Sequence, residues 1–416
     1  MSKSIISILL ISFFALLSGN DALFAQNSTP VETKEKENTS NVNSNFKTGL
    51  GKGIEATTDD EKHKIQIRFR IQPRATQSFN LDESTDTTNF QVRRSRIATK
   101  GSLFNDQWLF NIQLGFADGD LDADRRANLR DASIDYNKFR DIKVSFGQMK
   151  IPFSRQRWNS SSAMQMVERS TISGELNLDR DVGIMIYSED LLGLKRRLAY
   201  YVGVYGGQGR NRIDTNMPGV LTVGRLLYSP FGGMSKTGLD NDWLKESDMN
   251  RYQDPKIAFG FSGAYNKNSN RSHSTHGTQF DFARFDYSHA TADFYLKWMG
   301  FSFQTEALWR KANTNYMERE VSGSLNREYS RSGQGYFIQF GYLFTNNFEI
   351  SSRWGEFRPL GETDPRLVYS REIGGGVSYY FANHNLKWQT DYFNYTGIAQ
   401  SVDGDHVVRT QMQVFY

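Results

Sequence analysis

Ile65, Ile67, Phe69 and Ile71 alternate with Gln66, Arg68, Arg70 and Gln72, and this period of two recurs down the chain to its last residue. Trp108, Phe110, Ile112, Leu114 and Phe116 alternate with Asn111, Gln113 and Gly115, with Leu109 as the one apolar intruder. Phe348, Ile350, Ser352 and Trp354 alternate with Glu349, Ser351, Arg353 and Gly355, and Leu386, Trp388, Thr390 and Tyr392 with Lys387, Gln389 and Asp391. Successive strand side chains point to opposite faces, so each segment carries one apolar and one polar face. A soluble sandwich gives the same pattern with the apolar face turned inward. Strand length separates the two. These segments run about 9 to 12 residues, the reach of a tilted membrane-crossing strand, whereas sandwich strands average nearer 6.

Sixteen strands are predicted, over 63–75, 93–104, 107–117, 128–137, 141–150, 181–188, 197–206, 219–228, 256–266, 289–298, 301–312, 334–345, 347–357, 370–382, 385–395 and 406–416. The connections alternate short and long, as in bacterial outer-membrane barrels, and an even count puts both chain ends on the periplasmic side. Residues 229–255 sit badly with this scheme, being long where a short periplasmic turn belongs, and a further candidate strand at 279–287 is assigned to an external loop. The fold class is thus all-β, a transmembrane antiparallel β-barrel of about 16 strands. A barrel of that size leaves an aqueous channel.

Composition excludes the competing classes. The chain of 416 residues has no cysteine, hence no disulfide, no thiolate nucleophile and no lipid-anchoring thiol. With 23% charged residues it is too polar for a bundle of membrane helices, while 30 Phe, 20 Tyr and 7 Trp are too many for a disordered chain. Lys3, the apolar run Ile5–Leu17 and a small residue at Ala25 read as a secretory signal peptide over residues 1–25. Residues 26–60 read as a disordered, polar periplasmic tail, too small to plug a barrel, and residues 61–416 as the outer-membrane barrel itself. Val408, Thr410, Met412, Val414 and Tyr416 share one face of a strand that ends the sequence. That terminal aromatic is expected to serve the barrel-assembly machinery as an assembly signal.

With apolar faces toward outer-membrane lipid, the opposite faces line water. Arg68, Arg70, Arg94, Arg96, Lys100, Arg310, Arg353, Lys387 and Arg409 then face the lumen, and Arg225 is ambiguous in parity. Phe90 and Val92 break the phase of the second strand, which calls for a loop there or a bulge at Arg93. A charge on the lipid face near the midplane costs about 2–4 kcal/mol, which favours the inward assignment. Rings of arginine and lysine favour anions, and guanidinium presents paired donors to phosphate oxygens. The bland alternative is that these arginines pair with wall carboxylates such as Asp131, Asp135, Glu306 or Glu349 and only brace the barrel.

Between the fifth and sixth strands, Ile151–Arg180 forms a long connection. Pro152 and Phe153 open it, Arg155, Arg157, Arg169 and Arg180 stand against Glu168, Glu175 and Asp179, and Met164, Met166, Ile172 and Leu176 can pin it to the inner wall. Its context is VSFGQMKIPFS (144–154), MVERS (166–170) and DRDVGIMI (179–186), with GRLLYSP (224–230), GFSFQTEALWR (300–310) and HNLKWQTDYF (384–393) further on. This succession resembles the phosphate-selective porin O and P family from about residue 60 to the end. The resemblance implies a homotrimer of sixteen-stranded barrels, a third external loop folded inward as a constriction, and transport of small anions such as phosphate or polyphosphate. No dense lysine funnel stands in the sequence, so anion preference is the expectation before phosphate selectivity.

Other signals are weak. His273 and His276 form H-x-x-H in a polar loop without a third ligand, and Asp118, Asp120, Asp122 and Asp124 alternate without the glycine and closing glutamate of a calcium loop. No nucleophile elbow, P-loop or zincin motif occurs, so neither an enzyme nor a cofactor is expected. The basic residues are spread over many strands, which is no nucleic-acid footprint. The alternatives to an anion channel are a general porin of low selectivity and a barrel-based surface receptor or adhesin, the last requiring longer external loops than these.

Overall fold

The computed structural model describes residues 45–80, 86–121, 128–212, 219–234, 242–321, 323–397 and 406–416. The expected signal peptide and residues 26–44 of the expected tail lie outside that set, as do Asp122 and Asp124. A hairpin of β1 (Phe46–Gly49) and β2 (Gly53–Thr57) leads into β3 (Lys64–Phe79), β4 (Asp86–Leu103), β5 (Trp108–Gly115), β6 (Leu129–Tyr136) and β7 (Lys143–Lys150). After a loop carrying α1 (Arg155–Trp158) and α2 (Thr171–Leu176) come β8 (Arg180–Ser188), β9 (Leu198–Tyr205), β10 (Val220–Tyr228), β11 (Lys256–Ser269), β12 (Phe285–Trp298) and β13 (Phe301–Ala312). An external hairpin, β14 (Tyr316–Val321) and β15 (Ser324–Tyr329), precedes β16 (Gly333–Leu343), β17 (Phe348–Pro359), β18 (Ser370–Ala382), β19 (Leu386–Thr396) and β20 (His406–Phe415).

Strands β3 to β13 and β16 to β20 pair antiparallel with their neighbours, and β20 returns to β3 from His406↔Phe79 to Phe415↔Arg70. The result is a closed sixteen-stranded barrel. Ile71, Ile112, Ile350 and Tyr392 are all exposed on its outer face while Gln72, Glu349 and Asp391 are buried within. That orientation excludes a sandwich, whose apolar faces would meet. Each predicted strand is present. The phase break in β4 is a bulge: Gln72 pairs with Arg94 and Pro73 with Val92, leaving Arg93 as the extra residue, so the strand begins at Asp86 and not at 93.

Two expectations need correction. Residues 45–60 are not part of a disordered tail. β2 pairs with β3 from Ile54↔Ile67 to Thr57↔Lys64, covering the stretch of β3 that the shorter β20 leaves unpaired. Nor do residues 242–255 form a connection outside the lumen. The loop after β7 enters it from the external side, and residues 242–255, after β10, enter it from the periplasmic side, with Glu246, Ser247 and Asp248 almost fully buried. The two inserts meet where the Glu246 backbone N–H donates to the Ala163 carbonyl at 3.0 Å and the Gln165 N–H donates to Glu246 Oε2 at 2.9 Å.

Apolar packing seats the first insert. Ile151, Phe153, Ile172, Leu176 and Leu178 cluster with Tyr201, Tyr205, Leu221, Val223 and Trp243, and Met166 joins Phe393, Tyr395 and Val407. A Cβ at Gly335 or Gly355 would lie 2.8 or 2.7 Å from the Ile172 side chain, so these strand glycines form the slot that receives it. The inner faces of β9 and β10 are therefore apolar too, which is why parity failed for Arg225. Its side chain is buried, 2.7 Å from Asp293, and donates to the Phe153 carbonyl at 2.8 Å.

Candidate functional site: a basic passage beside the inward loop

Within the lumen lies a cavity of about 830 Å³ between the inward loop and the wall formed by β3 to β8. Gly51, Asn385 and Phe415 line it near the short-turn rim, and Gly119 and Arg93 near the rim of long connections. Nine arginines, three lysines and only two aspartates, Asp131 and Asp242, line it. Arg68, Arg70, Arg94, Arg96 and Lys100 are among them, as are Arg157, Arg169 and Arg180 of the loop. β3 and β4 place the first five because their alternation turns every second residue inward, and Arg70 stands directly across the ladder from Arg96.

The cations divide into paired and unpaired. Glu168 accepts from Arg74 at 2.6 Å, Arg93 at 2.7 Å and Arg94 at 3.1 Å. Asp120 pairs with Arg96 and, at 3.4 Å, with Arg130. Arg157 lies 2.8 Å from Asp179, and Arg180 lies 2.9 Å from Asp131 and 3.1 Å from Asp179. Arg68, Arg70, Lys100, Lys150 and Arg169 have no carboxylate at ion-pair distance among the described residues. Arg70 donates to Ser160 Oγ at 3.3 Å, Lys150 to the Trp158 and Asn159 carbonyls at 2.9 and 2.8 Å, and Arg169 to the Gln156 and Asn159 carbonyls at 2.9 and 2.8 Å. Neutral dipoles thus aim these groups without cancelling their charge.

Four expected lumen residues point inward but do not line the cavity. Arg310 is fully buried and paired with Glu175 at 2.5 Å, Arg353 with Glu372 at 3.0 Å, and Arg409 with Asp391 at 2.7 Å, while Lys387 donates to the Met164 carbonyl at 2.7 Å. Arg310, Lys387 and Arg353, the last donating to the Glu168 carbonyl at 3.0 Å, hold the inserted loop to the wall, and the Arg409–Asp391 pair braces β20 against β19. Pro152 and Phe153 are buried where the chain leaves the wall. Arg155 is buried as well, donating to the Trp243 carbonyl at 2.5 Å and stacking over Tyr295 at 3.6 Å, so it ties the two inserts together and does not face the cavity. In the loop between β11 and β12, His273 is buried with Nε2 3.0 Å from Glu175, and the half-buried His276 stacks on it. Tyr416 exchanges backbone hydrogen bonds with Phe69 at 2.7 and 2.9 Å, extending the closing seam to the last residue.

Reading the sequence missed Arg93, Arg130, Lys150 and Lys245. Arg93 is a bulge residue, and a second register shift opposite Gln113 and Leu114 skips Arg130, so alternation could not place either. Lys245 comes from the periplasmic insert, which carries no periodic signal.

A closed sixteen-stranded barrel with an apolar exterior, a charged lumen and an inserted loop defines the porin class of bacterial outer-membrane channels. The family model for phosphate-selective porin O and P matches residues 65–416, and the chain belongs to that family. It is 23% identical over 396 residues to an uncharacterized protein of Aquifex aeolicus (strain VF5), covering 86% of this chain and 88% of that one. Among solved structures it is similar in fold to the outer membrane channel DcaP of Acinetobacter baumannii (TM-score 0.54, 12% identity, 86% of this chain and 99% of that one). Similar too are Salmonella typhi OmpF (TM-score 0.53, 12% identity, 86% and 99%) and an anion-selective porin from Comamonas acidovorans (TM-score 0.50, 9% identity, 86% and 99%). Family and fold point to a channel, not an enzyme.

Proposed function

We propose that this channel passes small anions in preference to cations, by the off-centre passage beside the inward loop. One observation carries the reading: five cations without a carboxylate partner face a cavity in which the remaining arginines each have one, and there too arginines outnumber carboxylates. Fixed positive charge offsets part of the hydration an anion loses in a narrow passage, and repels cations from it. Phosphate is the solute class most favoured, because guanidinium groups on facing walls offer it paired donors. Arg68, Arg70 and Lys100 belong to the passage wall, and Arg155, Glu168 and the bracing cations hold the constriction in place.

Trimeric assembly fits the uneven wall. β5 to β10 have only 8 or 9 residues each, against 10 to 18 in the other barrel strands. At about 3.3 Å per residue and a tilt near 40°, an 8-residue strand covers roughly 20 Å, short of an apolar band about 25 Å tall. A low wall is better covered by another copy than by lipid. The aromatic end at Tyr416 is proposed as the assembly signal.

Neutralising the unpaired cations tests the selectivity. The triple variant Arg68→Gln, Arg70→Gln, Lys100→Gln in planar bilayers should lower the anion-to-cation permeability ratio at least threefold with little change in stability. An unchanged ratio would remove these residues from the conduction path.

A further inference from the structure

The outer wall of β12, β13, β16 and β17 carries a recess of about 580 Å³ that none of the transport machinery uses, with β18 beside it. Cross-strand register lays out its plan. One outward row is Ala290–Trp309–Gln334–Arg358, and the next is Ala292–Ala307–Tyr336–Glu356–Arg371. The row beneath, Phe294–Thr305–Ile338–Trp354–Ile373, is apolar but for one threonine. The three alanines make the floor, Trp309 and Tyr336 stand over it, and the charges begin where the apolar band ends. Because these strand ends lead to the long connections, the recess lies at the external rim.

The geometry points to a binding site for a phosphorylated lipid of the outer leaflet, with one acyl chain in the alanine-floored recess and its phosphate on Arg358 and Arg371. Three features agree on that occupant. Arg358 is 66% exposed although it lies 2.6 Å from Glu356, and Arg371 stands opposite Glu356 in the strand register, so two outward arginines neighbour one carboxylate. The excess positive charge complements a phosphate and opposes a zwitterionic headgroup less well. Trp309, Tyr336 and Trp354 stand on outward rows toward the external ends of their strands, as expected of a girdle that meets headgroups. Finally, this is the tall side of the barrel, with strands of 11 to 14 residues, the side that spans the bilayer unaided and faces lipid when copies associate through the low wall.

The test uses the full-length protein in detergent with lipid A as probe and phosphatidylethanolamine as control, read by native mass spectrometry and by unfolding temperature. Lipid A should be retained by the wild type and raise its unfolding temperature, while phosphatidylethanolamine is retained at least fivefold less. Arg358→Gln with Arg371→Gln should lower lipid A retention about tenfold, and Ala307→Trp, which fills the recess, should abolish it. Conductance serves as the fold control, because these outward side chains are remote from the passage. Equal retention of the two lipids, or lipid A retention unchanged in both variants, would overturn the site. A change of oligomeric state in Ala307→Trp with lipid binding intact would show that another copy covers the recess.

Discussion

Glu168 accepts from three arginines on two strands and so fixes the inward loop against the passage wall. Burial opposes its charge, yet Arg93, Arg94 and Arg74 outweigh that and hold the carboxyl well below the usual range. A carboxylate depressed in the folded state contributes stability that is complete above the unfolded value and lost only as pH falls through the folded one. The loop should therefore stay seated from neutral pH down past the ordinary glutamate value of about 4.3, with single-channel conductance constant over that window. Glu168→Gln leaves three guanidinium groups without their counter-charge. Breaking one partner of such a cluster costs about 3 kcal/mol, visible as a lower midpoint in urea unfolding. Because the arginines then lose their balance, anion preference should rise in that variant, the opposite direction to the Arg68, Arg70 and Lys100 substitutions.

Strands with one apolar face were legible residue by residue. Ile65 to Ile71, Phe348 to Trp354 and Leu386 to Tyr392 gave the register, hence the inward direction of Arg68, Arg70, Arg353 and Lys387. Alternation fixes direction but not depth or neighbours, so it could not separate Arg70, open to the cavity, from Arg310, buried on Glu175. It also fails where both faces are apolar, as around Arg225, and where a bulge adds a residue, as at Arg93. The inserted segments have no period at all. Residues 229–255 looked like a misplaced loop because nothing local says that Asp242 will meet Lys297 at 2.8 Å inside the barrel. Replacing residues 231–252 with a short turn should at least double single-channel conductance, since it empties part of the lumen. Deleting residues 45–57 uncovers Lys64 to Ile67 on β3 and should lower the heat stability of the barrel while leaving ion selectivity unchanged.

At the scale of the whole molecule, the barrel has two unlike halves. Over β9 to β13 the inner wall is occupied by loop and insert, packed with apolar and ion-paired side chains. Along β3 to β8 it is left to a basic cavity of about 830 Å³. The outside is divided as well, with a low wall at β5 to β10 and a tall one elsewhere. Electrophoresis without heating should accordingly show an oligomer that survives loss of the lipid recess. Anion preference requires uncompensated positive charge along the cavity beside the inward loop. The zero-current potential of the wild-type channel across a tenfold potassium chloride gradient reads that charge directly. Potential of the sign set by chloride diffusion, increasing as salt is lowered, is the predicted result; a potential of the sign set by potassium would contradict it.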